Sequence, residues 1–313
     1  MKSAIKLPPM SRLRVSIACS LLFVVAFAGV EAKTPKKQTF KPVHPTGIPD
    51  PPERVTKDEP VPDGPGSVSK TVPVTRAASV MVIDARSGEI MYEKNADAPR
   101  AAASTQKLLT ALIVAERGYL DRQVTVENVD TLAEPVKLNI KPGDTYQRID
   151  LLRALLVKSP NDVARCLARD SAGSIEAFAN LMNEKARQLG ATHSNFVNPN
   201  GLPMPGQYST ARDLSIIAKA AYANSTIRSI VCLPQLVFRF ANGRTRELEN
   251  TNKVLRRLPY CNGMKTGYTE AAGHCLIASG ARPGRDIIVV VLGDSKAGIW
   301  RDASALLSWG LWM

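Results

Sequence analysis

The chain has 313 residues and only three histidines, His44, His193 and His274. None stands at metal-ligand spacing to a cysteine or to another histidine, which argues against a zinc site; no metal or cofactor is expected. Aromatic residues make up 5% of the chain, and no basic cluster is interleaved with them. Nucleic-acid binding is therefore a poor reading of the net charge of +13, and attraction to anionic surfaces is a better one. The nearest approach to a G-x-S-x-G nucleophile elbow, Gly293-Asp-Ser295-Lys-Ala297, lacks its last glycine. The apolar run at the N-terminus, Val15 to Val30, holds sixteen residues including Ser16, Cys19 and Ser20, against the ~20 that a comfortable membrane span needs.

That short run follows Lys2, Lys6, Arg12 and Arg14 and ends in small residues, so residues 1–32 read as a secretory signal peptide. The competing reading is an uncleaved segment that anchors the chain to a membrane. Residues 33–75 hold ten of the 22 prolines and one aromatic, Phe40, a composition that makes an extended spacer rather than a core. The remaining residues, 76–313, are expected to form one folded domain. Four cysteines lie in it, Cys166, Cys232, Cys261 and Cys275. Export permits disulfides, and Cys232–Cys261 is the conceivable pair; the plainer expectation is four small buried thiols. If residues 268–272 form a turn, Cys275 falls opposite Lys265 and not opposite Cys261.

Hydrophobic periodicity predicts strands over 79–84 and 90–93, helices over 148–157, from 161 onward, over 174–189 and from 210 to 222, and a turn at Asn198-Pro-Asn-Gly201. From Leu236 the period changes to two. Segments 236–240 and 244–248 flank Asn242-Gly243, a strong hairpin signal, and strands follow over 261–267, 274–281 and 286–292. A helix from 297 to 309 closes the chain. Strands at both ends with helices between predict an α/β or α+β fold, an antiparallel sheet with a mostly helical lobe.

The chemistry-bearing stretch is Ala101-Ala-Ala-Ser104-Thr-Gln-Lys107, at the start of an apolar run that reads as a buried helix. Residues three apart share a helix face, so Ser104 and Lys107 can meet. Burial and the helix N-terminus both favour a neutral amine, which beside a hydroxyl is a general base beside a nucleophile. Ser-x-x-Lys also occurs at Ser3–Lys6 and Ser67–Lys70, and alone the pattern is more often a helix start with a snorkelling lysine. Two further motifs raise its weight. Ser159-Pro160-Asn161 is the sole Ser-x-Asn and falls between helices; its serine can relay a proton, and its amide can bond both the lysine and a substrate backbone. Lys265-Thr266-Gly267 is the sole Lys-Thr-Gly and ends a strand, where lysine and threonine can hold a carboxylate and glycine permits close approach. The backbone N–H groups of Ser104 and Tyr268 are the natural oxyanion donors.

In this order the three motifs resemble the penicillin-binding D-alanyl-D-alanine carboxypeptidases of the S11 serine peptidase type, from about Ser79 to Trp309. The resemblance includes Phe196-Val-Asn-Pro-Asn-Gly201-Leu202 and Gly263-Met-Lys-Thr-Gly-Tyr-Thr269. It implies a β-lactamase/transpeptidase-like fold and attack by Ser104 on the D-Ala-D-Ala amide of peptidoglycan stem peptides. It also implies covalent inhibition by β-lactam antibiotics and a location in the periplasm or cell envelope. Proline at 160 departs from the usual glycine. Ala271-Ala-Gly273-His274-Cys275 is similar to endopeptidases that cut cross-links, which is the close alternative. A class A β-lactamase is disfavoured because Glu134 precedes Ser159. A non-catalytic wall-binding scaffold would be expected to have lost one of Ser104, Lys107, Ser159, Asn161 or Lys265.

Overall fold

A computed structural model describes residues 71–313. The proposed signal segment and the spacer up to residue 70 lie outside the described residues. The chain enters with β1 (Ser79–Asp84) and β2 (Ile90–Lys94), then a 3-10 turn (Ala103–Gln106) leading into α1 (Lys107–Arg117). Next come β3 (Gln123–Thr125), α2 (Asn128–Thr131) and β4 (Thr145–Gln147). A helical stretch follows: α3 (Arg148–Lys158), α4 (Asn161–Ala172), α5 (Ile175–Leu189), α6 (Ala211–Ala223) and α7 (Ser225–Val231). The hairpin β5 (Gln235–Arg239) and β6 (Thr245–Glu249) leads through a 3-10 turn (Lys253–Arg256) to β7 (Cys261–Thr269). The chain closes with β8 (Gly273–Arg282), β9 (Arg285–Asp294) and α8 (Gly298–Trp312).

Five strands from the two ends of the domain make one antiparallel sheet in the order β2-β1-β9-β8-β7. Strand β9 reads Ile-Ile-Val-Val-Val-Leu because both faces of the sheet are covered. Alternate residues of β1 show this: Val80 and Val82 pack against α8 with Leu306 and Trp309, whereas Met81 and Ile83 join the helical lobe with Leu108 and Leu112. Strand β7 has a partner on one side only, so its other edge is available to a cleft.

Several local expectations need correction. Elements β3, β4, α2 and α7 span three to seven residues, too few to show a period, and the sequence reading has none of them. Thr75, assigned to the spacer, is buried and donates to the Asp302 carboxylate at 2.7 Å, so the fold begins earlier than residue 76. The β7–β8 turn is tighter than expected, so Cys275 opposes Gly267 rather than Lys265, and Cys261 opposes Gly280. Cys232 and Cys261 are free thiols. Each bonds its own neighbourhood, Cys232 Sγ to the Ser229 carbonyl and Cys261 Sγ to the Gly263 carbonyl, both at 3.4 Å. Cys232 is half-buried while the other three cysteines are buried.

Candidate active site

Ser104 lies in the 3-10 turn before α1, not in the helix itself. The turn departs from helical geometry at Ala103, which has φ of +48°, a conformation costly for a residue with a Cβ. Two close backbone approaches hold it there. Gly201, at φ +87°, sits so near that a Cβ on it would lie 2.0 Å from the Ala103 carbonyl oxygen. On the other side a Cβ on Gly267 would lie 2.8 Å from the Ser104 nitrogen. The glycine of Lys-Thr-Gly therefore admits the turn against the strand edge.

From this turn Lys107 points into the junction of α3 and α4 and is wholly buried. Its Nζ lies 2.8 Å from Ser104 Oγ, 2.7 Å from Asn161 Oδ1, 3.1 Å from the Ser159 carbonyl oxygen and 3.3 Å from Ser159 Oγ. None of these partners is a carboxylate. Burial, reinforced by the charge of Lys265 and opposed by Asp162, pulls the Lys107 amine well below the usual lysine range. A neutral amine donates to Asn161 Oδ1 and the Ser159 carbonyl and keeps a lone pair for the Ser104 proton. The competing acceptor for that proton, the Asn200 carbonyl, is farther away at 3.2 Å.

Ser159 ends α3 in the left-handed region at φ +68°, and Pro160, extended, opens α4. This break turns Ser159 and Asn161 together toward Lys107. The expectation for the Asn161 amide is half met. Its oxygen holds the lysine, but Nδ2 donates to the Glu134 and Pro135 carbonyls at 3.0 and 3.1 Å instead of facing open space. The Asn161 N–H adds a bond to the Val136 carbonyl at 2.8 Å, and the Asp162 carboxylate accepts from the Leu138 and Asn139 N–H groups. Residues 134–139 thus form a wall of the site. Glu134 contributes its carbonyl there, while its side chain is exposed.

Lys265 on β7 is buried, donates to the Thr266 carbonyl at 2.9 Å, and is pulled down to about 7 by burial. The Thr266 hydroxyl donates to Thr251 Oγ1 at 2.7 Å. Tyr268 is exposed and stacks on His274, its cross-strand neighbour, with centroids 4.4 Å apart. The structure therefore brings Ser104, Lys107, Ser159 and Asn161 into direct contact, with Gly267 against the same turn and Lys265, Thr266 and Tyr268 along that strand.

Sequence reasoning missed three parts: the Asn200 carbonyl, the 134–139 wall with its anchor Asp162, and Thr251. The first had a signal, since Asn198 Oδ1 accepts from the Asn200 and Gly201 N–H groups, the asparagine-nucleated turn that Asn-Pro-Asn-Gly encodes.

The site thus holds a half-buried serine on a buried lysine, bridged by a Ser-x-Asn break and flanked by a Lys-Thr-Gly edge strand. Residues 67–296 match peptidase family S11, the D-alanyl-D-alanine carboxypeptidases. The chain belongs to this family of serine peptidases. It is 35% identical over 257 residues to D-alanyl-D-alanine carboxypeptidase DacB2 of Mycobacterium tuberculosis, covering 80% of this chain and 84% of that protein. It is 32% identical over 261 residues to the D-alanyl-D-alanine endopeptidase of Escherichia coli, with the same two coverages. Of the longer carboxypeptidase DacF of Bacillus subtilis it spans 58%. Among solved structures, the DD-transpeptidase of Streptomyces K15 aligns with a TM-score of 0.73 at 28% identity, over 77% of this chain and 98% of that one.

Proposed function

We propose that this S11 peptidase removes the terminal D-Ala from peptidoglycan stem pentapeptides through an acyl-enzyme on Ser104. Lys107 takes the Ser104 proton as Oγ attacks the carbonyl carbon between the two D-Ala residues. Ser159, 3.3 Å from Lys107 Nζ, relays that proton from Lys107 to the leaving amine as the C–N bond breaks. Water then attacks the Ser104 ester, its proton passing by way of Lys107 to Ser104 Oγ as the C–O bond breaks, and the shortened peptide leaves. The backbone N–H groups of Ser104 and Tyr268 stabilise the oxyanion, and Lys265 with Thr266 binds the terminal carboxylate. β-Lactams acylate the same serine. The observation that carries this reading is the wholly buried Lys107 amine, 2.8 Å from Ser104 Oγ and without a carboxylate partner.

A second reading, cleavage of cross-links between stems, is favoured by the equally broad match to an endopeptidase. Export to the cell envelope follows from the N-terminal signal pattern. Among the described residues no helix is long and apolar enough to cross a membrane.

Mass spectrometry of muropeptides incubated with purified protein tests these readings. Loss of one alanine from pentapeptide monomers supports carboxypeptidase action, and conversion of dimers to monomers supports the alternative. Neither change, with protein that benzylpenicillin still labels, overturns both.

A further inference from the structure

We propose that Arg244 and Arg246, at the tip of the β5–β6 hairpin, form a subsite for a substrate carboxylate lying beyond the D-Ala-D-Ala unit; this rests on the function proposed above. The hairpin joins the two walls of the site. At one end Arg246 Nη2 donates to the Leu138 carbonyl at 2.9 Å. That residue's N–H is held by Asp162, beside Asn161. At the other end Thr251, just past β6, takes the Thr266 hydroxyl at 2.7 Å and gives its own N–H to the Val157 carbonyl at 3.2 Å. Arg246 and Thr251 are five residues apart, which spans at most about 17 Å of extended chain. The guanidiniums therefore stand within reach of a peptide whose end lies on the Lys-Thr-Gly strand.

Their mounting is shared. Both lie over the Phe240 ring, at 5.6 Å for Arg244 and 5.2 Å for Arg246. Phe240 is planted in an aromatic cluster with Phe238 and Tyr146. Neither arginine has a carboxylate partner among the described residues, whereas Arg148, Arg169 and Arg212 are all ion-paired. The acids nearby are otherwise placed. Asp144 accepts from the Tyr146 hydroxyl and the Lys141 N–H, and Asp162 is taken by backbone N–H groups. Glu247 pairs across the hairpin with Val237 and so faces the side opposite to Arg246, which pairs with Phe238. Lys137 and Lys141, on the neighbouring loop, add charge of the same sign. Two exposed guanidiniums on one ring suit an anion shared between them, and the planar fork matches a carboxylate. The carboxylate can come from the same stem, upstream of D-Ala-D-Ala, or from the neighbouring stem of a cross-link.

The test compares the wild type with the Arg244→Gln/Arg246→Gln double variant. Substrates are a blocked neutral tripeptide ending in D-Ala-D-Ala, an acidic stem pentapeptide, its carboxylate-amidated form, and a cross-linked dimer. The double variant should lose about tenfold in kcat/KM on an acidic substrate, with the neutral and amidated peptides and benzylpenicillin acylation unchanged. Loss on the pentapeptide assigns the carboxylate to the same stem, and loss on the dimer alone assigns it to the neighbour. In a Ser104→Ala background, calorimetry should show acidic but not amidated peptide weakened by a similar factor. Equal loss on all substrates, or no loss on either acidic one, overturns the subsite. A wild type that cleaves none of the peptides but binds the acidic one through these arginines overturns the peptidase reading and leaves the subsite standing.

Discussion

Two pairs of cations stand in opposite surroundings. Lys107 and Lys265 are buried, bonded to neutral oxygens and drawn toward their uncharged forms. Arg244 and Arg246 stand exposed on the hairpin, over the Phe240 ring. Desolvation turns a lysine into a base, whereas arginine in water remains a point of attraction. In the function proposed above the inner pair serves the reaction, and in the proposed subsite the outer pair selects among substrates.

The comparison can be broken most severely at the nucleophile. Ser104→Ala should abolish penicillin labelling and lower peptidase turnover by at least about 10^4-fold, read by intact-protein mass spectrometry and amino-acid release. Next, Lys107→Arg places a permanent charge in a pocket that demands a neutral group; acylation should fall by about 10^2–10^4-fold. Benzylpenicillin acylation near the wild-type rate in this variant would exclude Lys107 as the base.

The turn beneath the pair can be broken separately. Gly201→Ala puts a methyl into the Ala103 carbonyl at a positive φ, so it should destabilise the fold by about 2–4 kcal/mol and slow acylation. A midpoint of denaturation within error of wild type would refute the close approach.

Lysine 265 sharpens the comparison through pH. Its folded value of about 7 lies below the ordinary 10.5. Between those values the unfolded chain binds more protons than the folded one, so stability from this group rises with pH across that window and its cost is complete below about 7. Lys265→Met should flatten the slope of unfolding free energy between pH 8 and 9 by on the order of 1 kcal/mol per pH unit. The same variant removes a positive neighbour of Lys107, so the rising limb of acylation against pH should move to higher pH. An unmoved limb would mean that the two amines do not sense each other. The smallest effect belongs to the outer pair: Arg244→Gln should change stability by no more than about 0.5 kcal/mol, since an exposed charge contributes little to folding.

Much of the frame was legible. Strand β1 is as predicted, and β2, α3 and β9 end within two residues of expectation; in β1, α3 and β9 the apolar residues dominate the element. The hairpin followed from Asn242-Gly243, with the strands displaced by one residue. Less was legible where bonds between distant segments replace a period. The Asn161 amide illustrates this: its residue type announces two donors, but only the path of residues 134–136 decides that both go to backbone carbonyls. Asp162 is similar, an acid beside a motif whose buried carboxylate proves to be an anchor for Leu138 and Asn139. Cysteine spacing was the weakest guide, since pairing depends on where thiols point, and those of Cys232 and Cys261 point to their own chain.

The sequence by itself determined which reactive groups exist and the order in which helix, break and strand present them, since local propensity and apolar spacing are written residue by residue. Tertiary structure alone decided that these groups meet, that a carbonyl from residue 200 competes for the serine proton, and that one hairpin spans both walls. Contacts between segments far apart in the chain arise from burying shared surfaces, and no local pattern records which surface a segment will share.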